Sequence, residues 1–229
     1  MTLASRSTLD REIKTIQGDV LRMAHVLDQA LSRSLEALAS QDARLAEEIV
    51  ADDVQVNALR FRIEEACLAL IATQQPTAGD LRTVVAAMNI VGDLERMADH
   101  AAGVAKVVLS MGDQPRLKPL IDIPRMVEVC RSMVRESLQA FIARDPGKAR
   151  QVATQDNTID ALYKQIFREL LSFMVEDPST TSRALYLLFA AHNYERTGDR
   201  ATNIAERVIF MASGEMRELN PERPDTSHQ

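Results

Sequence analysis

Leu94-Glu95-Arg96-Met97-Ala98-Asp99 and Tyr194-Glu195-Arg196-Thr197-Gly198-Asp199 stand one hundred positions apart, each carrying Glu-Arg-x-x-Asp inside an apolar pattern of helical period. On an α-helix, residues i and i+4 are only about 40° apart around the axis, so Glu95 shares a face with Asp99 and Glu195 with Asp199. Two like charges therefore lie side by side, twice. Such a pair costs about 0.2 to 0.5 kcal/mol when exposed and far more on a buried face without a partner. A positive counterpart is expected. It is either one or more metal ions or the motif arginines, because Arg96 precedes Asp99, and Arg196 precedes Asp199, at the i,i+3 spacing of an ordinary helical ion pair.

The surrounding chain is helical in composition. Of 229 residues only eight are Gly and eight Pro, aromatics make up 4%, and Trp is absent, which suits helices packed through aliphatic side chains. A net charge of −6 argues against a nucleic-acid partner, whose phosphates demand clustered Lys and Arg. The two cysteines, Cys67 and Cys130, lie in apolar helical stretches without Cys-x-x-Cys spacing, so buried free thiols in a reducing compartment are expected. Arg6, Asp10, Arg11, Glu12 and Lys14 interrupt any apolar core of a signal peptide, and no apolar run approaches the length of a membrane span. The expectation is a soluble, non-secreted protein that meets a membrane only through partners.

From Ile13 the apolar positions Ile16, Val20, Met23, Leu27 and Ala30 keep the alternating three-and-four spacing of a long packed helix, placed at about 9–39. Ser40-Gln41-Asp42 offers a cap for a second helix at about 42–73, whose seam reads Leu45, Ile49, Asp52, Val56, Leu59, Ile63, Ala66, Leu70. Pro76 breaks the chain, and Thr77-x-x-Asp80 reads as a capping box opening a third helix at about 77–110. Gly112, Pro115, Pro119 and Pro124 then mark a linker.

The half of the chain after the linker repeats the half before it. Ser137-Leu138 aligns under Ser34-Leu35, Asp145 under Asp42, Asp156 under Asp53, Ile159 under Val56 and Ile166 under Ile63, all at an offset of 103. After Asp177-Pro178 the offset shortens to the 100 that relates the two Glu-Arg-x-x-Asp motifs. The fold class expected is all-α, with two tandem pseudo-symmetric three-helix bundles of six long antiparallel helices. Residues 1–112 form the first repeat, 113–123 the linker, 124–214 the second repeat and 215–229 a frayed tail, with second-half helices at about 124–143, 146–175 and 179–212.

The alignment exposes a further motif on each middle helix. The second half has Asp156-Asn157-Thr158-Ile159-Asp160; the first has Asp53-Val54-Gln55-Val56-Asn57, where Asn57 replaces the second aspartate. Each brackets a seam residue, so its oxygens approach the groove between helices. The flanks of the third-helix motifs, Val84 to Val91 and Ala184 to Ala191, are too apolar for an exposed face. Oxygen-only ligation suits hard or borderline cations, and crowded carboxylates favour more than one ion. His100 and His192 are candidates to support a ligand carboxylate; His25 and His228 read as structural or surface residues. There is no Glu-x-x-His pair of the ferritin type, no Gly-rich phosphate loop and no nucleophile beside a base, so catalysis is not indicated. The ten methionines read as core filling.

Gln74-Gln75-Pro76-Thr77-Ala78-Gly79-Asp80-Leu81-Arg82, Leu94 to Asp99, and Tyr194 to Glu206 together resemble the PhoU family, with similarity from the first helix to about Gly214. The resemblance implies a negative regulator of the phosphate-starvation response that acts through protein–protein contacts and not as an enzyme. Its implied partners are the ATPase subunit of a phosphate-specific ABC transporter, a sensor histidine kinase and a second copy in a homodimer, with the protein at the inner face of the membrane. It also implies multinuclear metal clusters of Fe, Mn, Mg or Zn on Glu95, Asp99, Asp156, Asp160, Glu195 and Asp199, with Asp53 and Asn57 in the fourth motif. Asn57 departs from the charged form of that motif, which points to weaker or fewer ions in the first half. Three alternatives remain open on the residues alone: a carboxylate-bridged metalloenzyme, a phosphorelay carrier using His25 or His100, and a purely structural dimer with charged grooves.

Overall fold

The computed structural model describes residues 3–215 and 219. Six helices succeed one another: α1 (Leu3–Ser40), α2 (Ala43–Gln74), α3 (Ala78–Met111), α4 (Asp122–Ala143), α5 (Pro146–Glu176) and α6 (Thr181–Ser213), with a single 3₁₀ turn at Pro178–Thr180 before α6. No strand occurs among the described residues.

The turns reproduce the repeat in their backbone. Gln41 and Arg144, 103 positions apart, both adopt the left-handed conformation, at φ 57° and 53°. Each precedes an aspartate that caps the next helix. Asp42 accepts from the Leu45 amide at 3.0 Å, and Asp145 accepts from the Gly147 and Lys148 amides at 2.9 and 3.0 Å. The repeat fails where the offset changes. Gln75 turns left-handed at φ 48°, whereas Asp177 is extended and leads into the 3₁₀ turn.

Three features differ from expectation. α1 starts at Leu3 and not at about 9, and α4 starts at Asp122, two residues before the expected 124, so Pro124 stands inside its first turn, which costs little because a first-turn amide has no intrahelical acceptor. Thr77 caps no backbone amide; its hydroxyl donates to Asp80 Oδ2 at 3.1 Å, and that carboxylate also accepts from Arg6 of α1 at 2.5 Å. The expected tail falls outside the described residues, apart from Glu215 and from Leu219, whose amide donates to Glu206 Oε1 at 2.8 Å.

Each half is an up-down-up bundle, and the halves share one hydrophobic core. Among the described residues, α3 and α6 make the most extensive contact; α1 and α4 also touch, while α2 packs on α1 and α3. α5 likewise packs on α4, α6 and the 3₁₀ turn, so α2 and α5 form the two flanks. The Arg131 guanidinium of α4 clasps Asp28 of α1 at 2.7 and 2.8 Å. Those residues are also 103 apart, so the pair joins equivalent positions of the two halves. Met23, Met97, Met126 and Met133 fill the core, and both cysteines are buried free thiols, as expected; burial pushes the Cys67 thiol up to about 12.

The seam of α2 keeps its expected positions at Ile49, Val56, Ile63 and Leu70 but shifts by one residue at the positions between them. Ala46, Ile49, Val56, Ile63, Cys67 and Leu70 are buried, while Ala66 is exposed and Leu45 and Leu59 are half-buried. The seam positions between these buried residues are therefore Asp53 and Arg60, not Asp52 and Leu59. Asp52 turns instead toward α1, where Arg33 donates to it at 2.6 Å.

Candidate functional site

In the first half, α2 supplies Asp53 and Asn57 and α3 supplies Glu95 and Asp99. Glu95 lies in the buried interface, with its side chain 9% exposed. Its Oε1 accepts from Arg60 Nη1 at 3.0 Å, and Arg60 Nε donates to Glu64 at 2.9 Å. Asn57 Nδ2 donates to Asp53 Oδ2 at 3.2 Å, so the departing residue of the motif serves as a donor to its neighbour. Burial raises the Asp53 carboxyl above its ordinary value, and the charges of Asp99 and Glu95 add to the effect, which brings the three acids into one electrostatic neighbourhood. Arg96 reaches Glu95 at 3.7 Å and Asp99 at 3.6 Å, the latter being the expected helical ion pair, at long range.

The second half gathers Asp156 and Asp160 of α5 with Glu195 and Asp199 of α6. Glu195 is pushed up to about 7, first by burial and then by Asp199, Asp160 and Asp156. Asp199 is raised by burial and by Asp160, against the opposing charges of Arg200, Arg196 and His192. No Arg196–Asp199 ion pair forms among the described residues. Where Arg60 stands in the first half, the repeat places Tyr163. His192 stacks obliquely against that tyrosine at 6.0 Å and brings Nδ1 to 3.4 Å from Glu195 Oε2. Of the two histidines considered as supports for a carboxylate, His192 is the one that lies beside a motif acid. His100 instead faces Thr197 Oγ1, 3.4 Å from its Nδ1, and burial lowers its pKa to about 4.

Close helix approach at this site depends on Gly198. A Cβ there would stand 2.5 Å from Ile159 Cδ1 and 3.4 Å from Asp156 Oδ1. The first half has Ala98 at the same place.

The donor set fits a hard cation in one respect and not in another. Asp53 Oδ1, Glu95 Oε2 and Glu195 Oε2 are buried without a hydrogen-bond partner; Arg96 Nε stands 3.7 Å from Glu95 Oε2 and His192 Nδ1 3.4 Å from Glu195 Oε2, neither making a hydrogen bond, so a cation would still improve their surroundings. Yet no three Asp, Glu, His or Cys side chains among the described residues converge into a ready-made cage. The helices bring the carboxylates to the same groove without closing them on a point.

Several participants escaped the sequence reading. Arg60 is the foremost. On the adjoining face, Asp93 is buried with its carboxyl raised by burial, and it accepts from Asn203 and pairs with Arg200, both at 3.5 Å. An open groove of about 360 Å³ there is shared by Arg60, Glu95, Arg96, Asp93 and Arg207. The sequence signal for it is a basic pair on α6 at seven-residue spacing, Arg200 and Arg207.

Comparison with known proteins agrees with this architecture. The PhoU domain family model matches residues 20–108 and again 123–208, once in each half. A phosphate-specific transport system accessory protein PhoU homolog from Aquifex aeolicus is 39% identical over 91% of this chain and 94% of its own length. The homolog from Zymomonas mobilis is 41% identical over 93% and 89%, respectively. Among solved structures, the phosphate transport system regulatory protein PhoU from Streptococcus pneumoniae superposes with a TM-score of 0.85 at 31% identity, covering 91% of this chain and 99% of that one. PhoU from Pseudomonas aeruginosa gives 0.84 at 33%, covering 90% and 99%. With the family model met twice at the repeat read from the sequence, and with full-length relatives in both sequence and structure, the chain belongs to the PhoU family.

Proposed function

We propose that this protein is an accessory regulator of phosphate transport and of the phosphate-starvation response, working by contact with partners and without catalytic turnover. The observation that carries the proposal is the family membership over nearly the whole chain, in which the relatives bear the names of accessory and regulatory proteins. The ATPase subunit of a phosphate-specific ABC transporter and the sensor histidine kinase are the partners, and the protein works as a homodimer on the inner face of the membrane. No described helix is long and apolar enough to cross a membrane, in keeping with attachment through partners.

Metal enters this proposal as a brace. Asp156, Asp160, Glu195 and Asp199 would hold it in the second half, and Asp53, Asn57, Glu95 and Asp99 in the first; Fe, Mn, Mg and Zn all accept such donors. A bound cation would supply positive charge to these buried carboxylate oxygens, which make no hydrogen bond. The side chains hold α2 to α3 and α5 to α6, fixing the surfaces offered to partners.

The experiment is a reporter of the phosphate-starvation response in cells lacking the gene, combined with capture of the ATPase subunit and the kinase by the purified protein. Restored repression in high phosphate, with capture of both partners, supports the proposal. A reporter that ignores the gene overturns it.

A further inference from the structure

The open groove beside the first-half motif gathers positive charge on an acidic chain. Arg60 of α2, Arg96 of α3, and Arg200 and Arg207 of α6 line it, against three acids, Glu64, Asp93 and Glu95, although the whole chain carries a net charge of −6. The four guanidiniums are not engaged alike. Arg60 is committed, donating to Glu64 at 2.9 Å and to Glu95 at 3.0 Å. Arg96 stands 3.7 Å from Glu95 and 3.6 Å from Asp99, and Arg200 stands 3.5 Å from Asp93, all longer than a good hydrogen bond between ions. Arg207 Nε is buried and has no hydrogen-bond partner among the described residues. A guanidinium stays charged and offers five N–H donors, so a buried one without an acceptor is costly. Three arginines from two helices thus bring spare donors to one groove.

The repeat shows that the contact of α3 with α6 does not require them. At the offset of 100, His100 and Val107 of α3 take the places of Arg200 and Arg207, and Gly103 that of Asn203, while Asn193 of α6 takes the place of Asp93. The Asn193 side chain closes on Gly103, its Oδ1 standing 2.6 Å from the position a Cβ would occupy there. Of the three spare arginines, only Arg96 has a counterpart, Arg196. The cluster is therefore a property of one face and not of the fold.

We infer that this groove binds a free tetrahedral oxyanion of the phosphate class, with Arg96, Arg200 and Arg207 as its donors. Such a site does not depend on the regulatory role proposed above. Planar guanidinium forks brought to one space from two helices suit an acceptor with several oxygens and more than one negative charge. Asp93 is buried in the wall against Arg200 and Asn203, each at 3.5 Å, and holds the cluster together without saturating it. Because Arg207 Nε is buried, the acceptor has to be small enough to enter the groove, which favours a free ion over a headgroup held at a membrane surface.

The test is titration calorimetry of the full chain with inorganic phosphate, in phosphate-free buffer with and without EDTA, and with helix content checked by circular dichroism. Wild type should bind phosphate saturably in both conditions. Arg200→Gln and Arg207→Gln should each weaken binding by about tenfold or more. Arg207→Lys keeps the charge but not the fork and should weaken it too. Arg44→Gln, which removes an equal charge from an exposed place on α2, should leave binding unchanged. Arg96 is 60% exposed, so Arg96→Gln, also expected to weaken binding, decides the matter if either α6 variant fails to fold. No saturable binding, or an equal loss in Arg44→Gln, overturns the site. Binding that vanishes with EDTA and survives the arginine variants places the anion on a metal ion and overturns it as well. Phosphatidylcholine vesicles containing phosphatidic acid are the last arm. Flotation with them that is lost in the same variants, without any response to inorganic phosphate, assigns the groove to a lipid headgroup and overturns the free ion.

Discussion

Arg60 Nη1 of α2 donates to Glu95 Oε1 of α3 at 3.0 Å, whereas the repeat sets Tyr163 of α5 beside Glu195 of α6. The first-half carboxylate is thus neutralised from within the protein. The second-half carboxylate is not, and it sits among three further acids. The proposed cation would therefore matter more in the second half.

Metal retention should track that asymmetry. Glu195→Gln with Asp199→Asn is expected to remove most of the metal that survives dialysis, and Glu95→Gln with Asp99→Asn only a minor part. Elemental analysis of the folded variants decides the matter. Replacing Arg60 with Met should raise the first-half share, because it removes the competing guanidinium. Equal losses from both double variants would show that Arg60 does not compete.

Much of this was legible in the sequence, and the rest was hidden for definite reasons. The period, the duplication and the linker appear in the pattern of apolar residues, and so do the two i,i+4 carboxylate pairs. The alternate seam positions of α2 do not, because Leu45 and Leu59 lie one position from the buried line and look equally apolar. With Leu59 taken as the seam position, Arg60 was passed over and its bond to Glu95 could not be anticipated. Arg131 and Asp28 meet only because the halves face each other, a relation that local pattern does not encode.

Acidity should stabilise the metal-free protein through Glu195. Its folded pKa is about 7 against an ordinary 4.5, raised mainly by burial, so the folded state binds a proton that the unfolded state releases between those values. The contribution of this group to stability is full below pH 4.5 and is lost as pH rises through 7. Paired carboxylates such as Asp28 change in the opposite sense at lower pH, so the difference between variant and wild type is the informative quantity. Glu195→Gln should match wild type in melting temperature near pH 4.5, exceed it increasingly toward pH 7, and hold that lead above. Saturating metal should abolish the lead. A difference that is flat with pH would mean that Glu195 ionises freely.

Tyr194 is fully buried beside the second-half motif, and its hydroxyl shares a 2.9 Å hydrogen bond with Ser34 of α1. Ser34 Oγ also lies 2.9 Å from the Leu31 carbonyl, so Tyr194→Phe removes one bond without stranding the serine. The cost should be about 1 kcal/mol, or about 2 to 4 °C in melting temperature for a chain of this size. Tyr194→Ala, which empties a core site where α1 and α6 meet, should cost about 3 to 5 kcal/mol. Denaturant unfolding distinguishes the two, and a costless Tyr194→Ala would contradict the packing described.

Gly198 allows α6 to approach α5 at the second-half motif, and adding a methyl there sets two effects against each other. Alanine is the better helix former by about 1 kcal/mol. Its Cβ, however, would lie 2.5 Å from Ile159 Cδ1, and forcing a methyl into a packed interface costs about 1 to 3 kcal/mol. The end of Ile159 can swing aside, so the fold should survive Gly198→Ala with a lowered melting temperature. Asp156 Oδ1 lies 3.4 Å from the same Cβ and cannot keep its place relative to Glu195 if the helices part. Metal affinity should therefore fall more than stability does, as titration of metal-stripped protein would register. Ala98→Gly in the first half is the matched control: it should lose about 1 kcal/mol of helix stability and leave second-half metal binding unchanged. A Gly198→Ala protein that gains stability and keeps full metal affinity would mean that the α5–α6 approach does not set the geometry of the carboxylates.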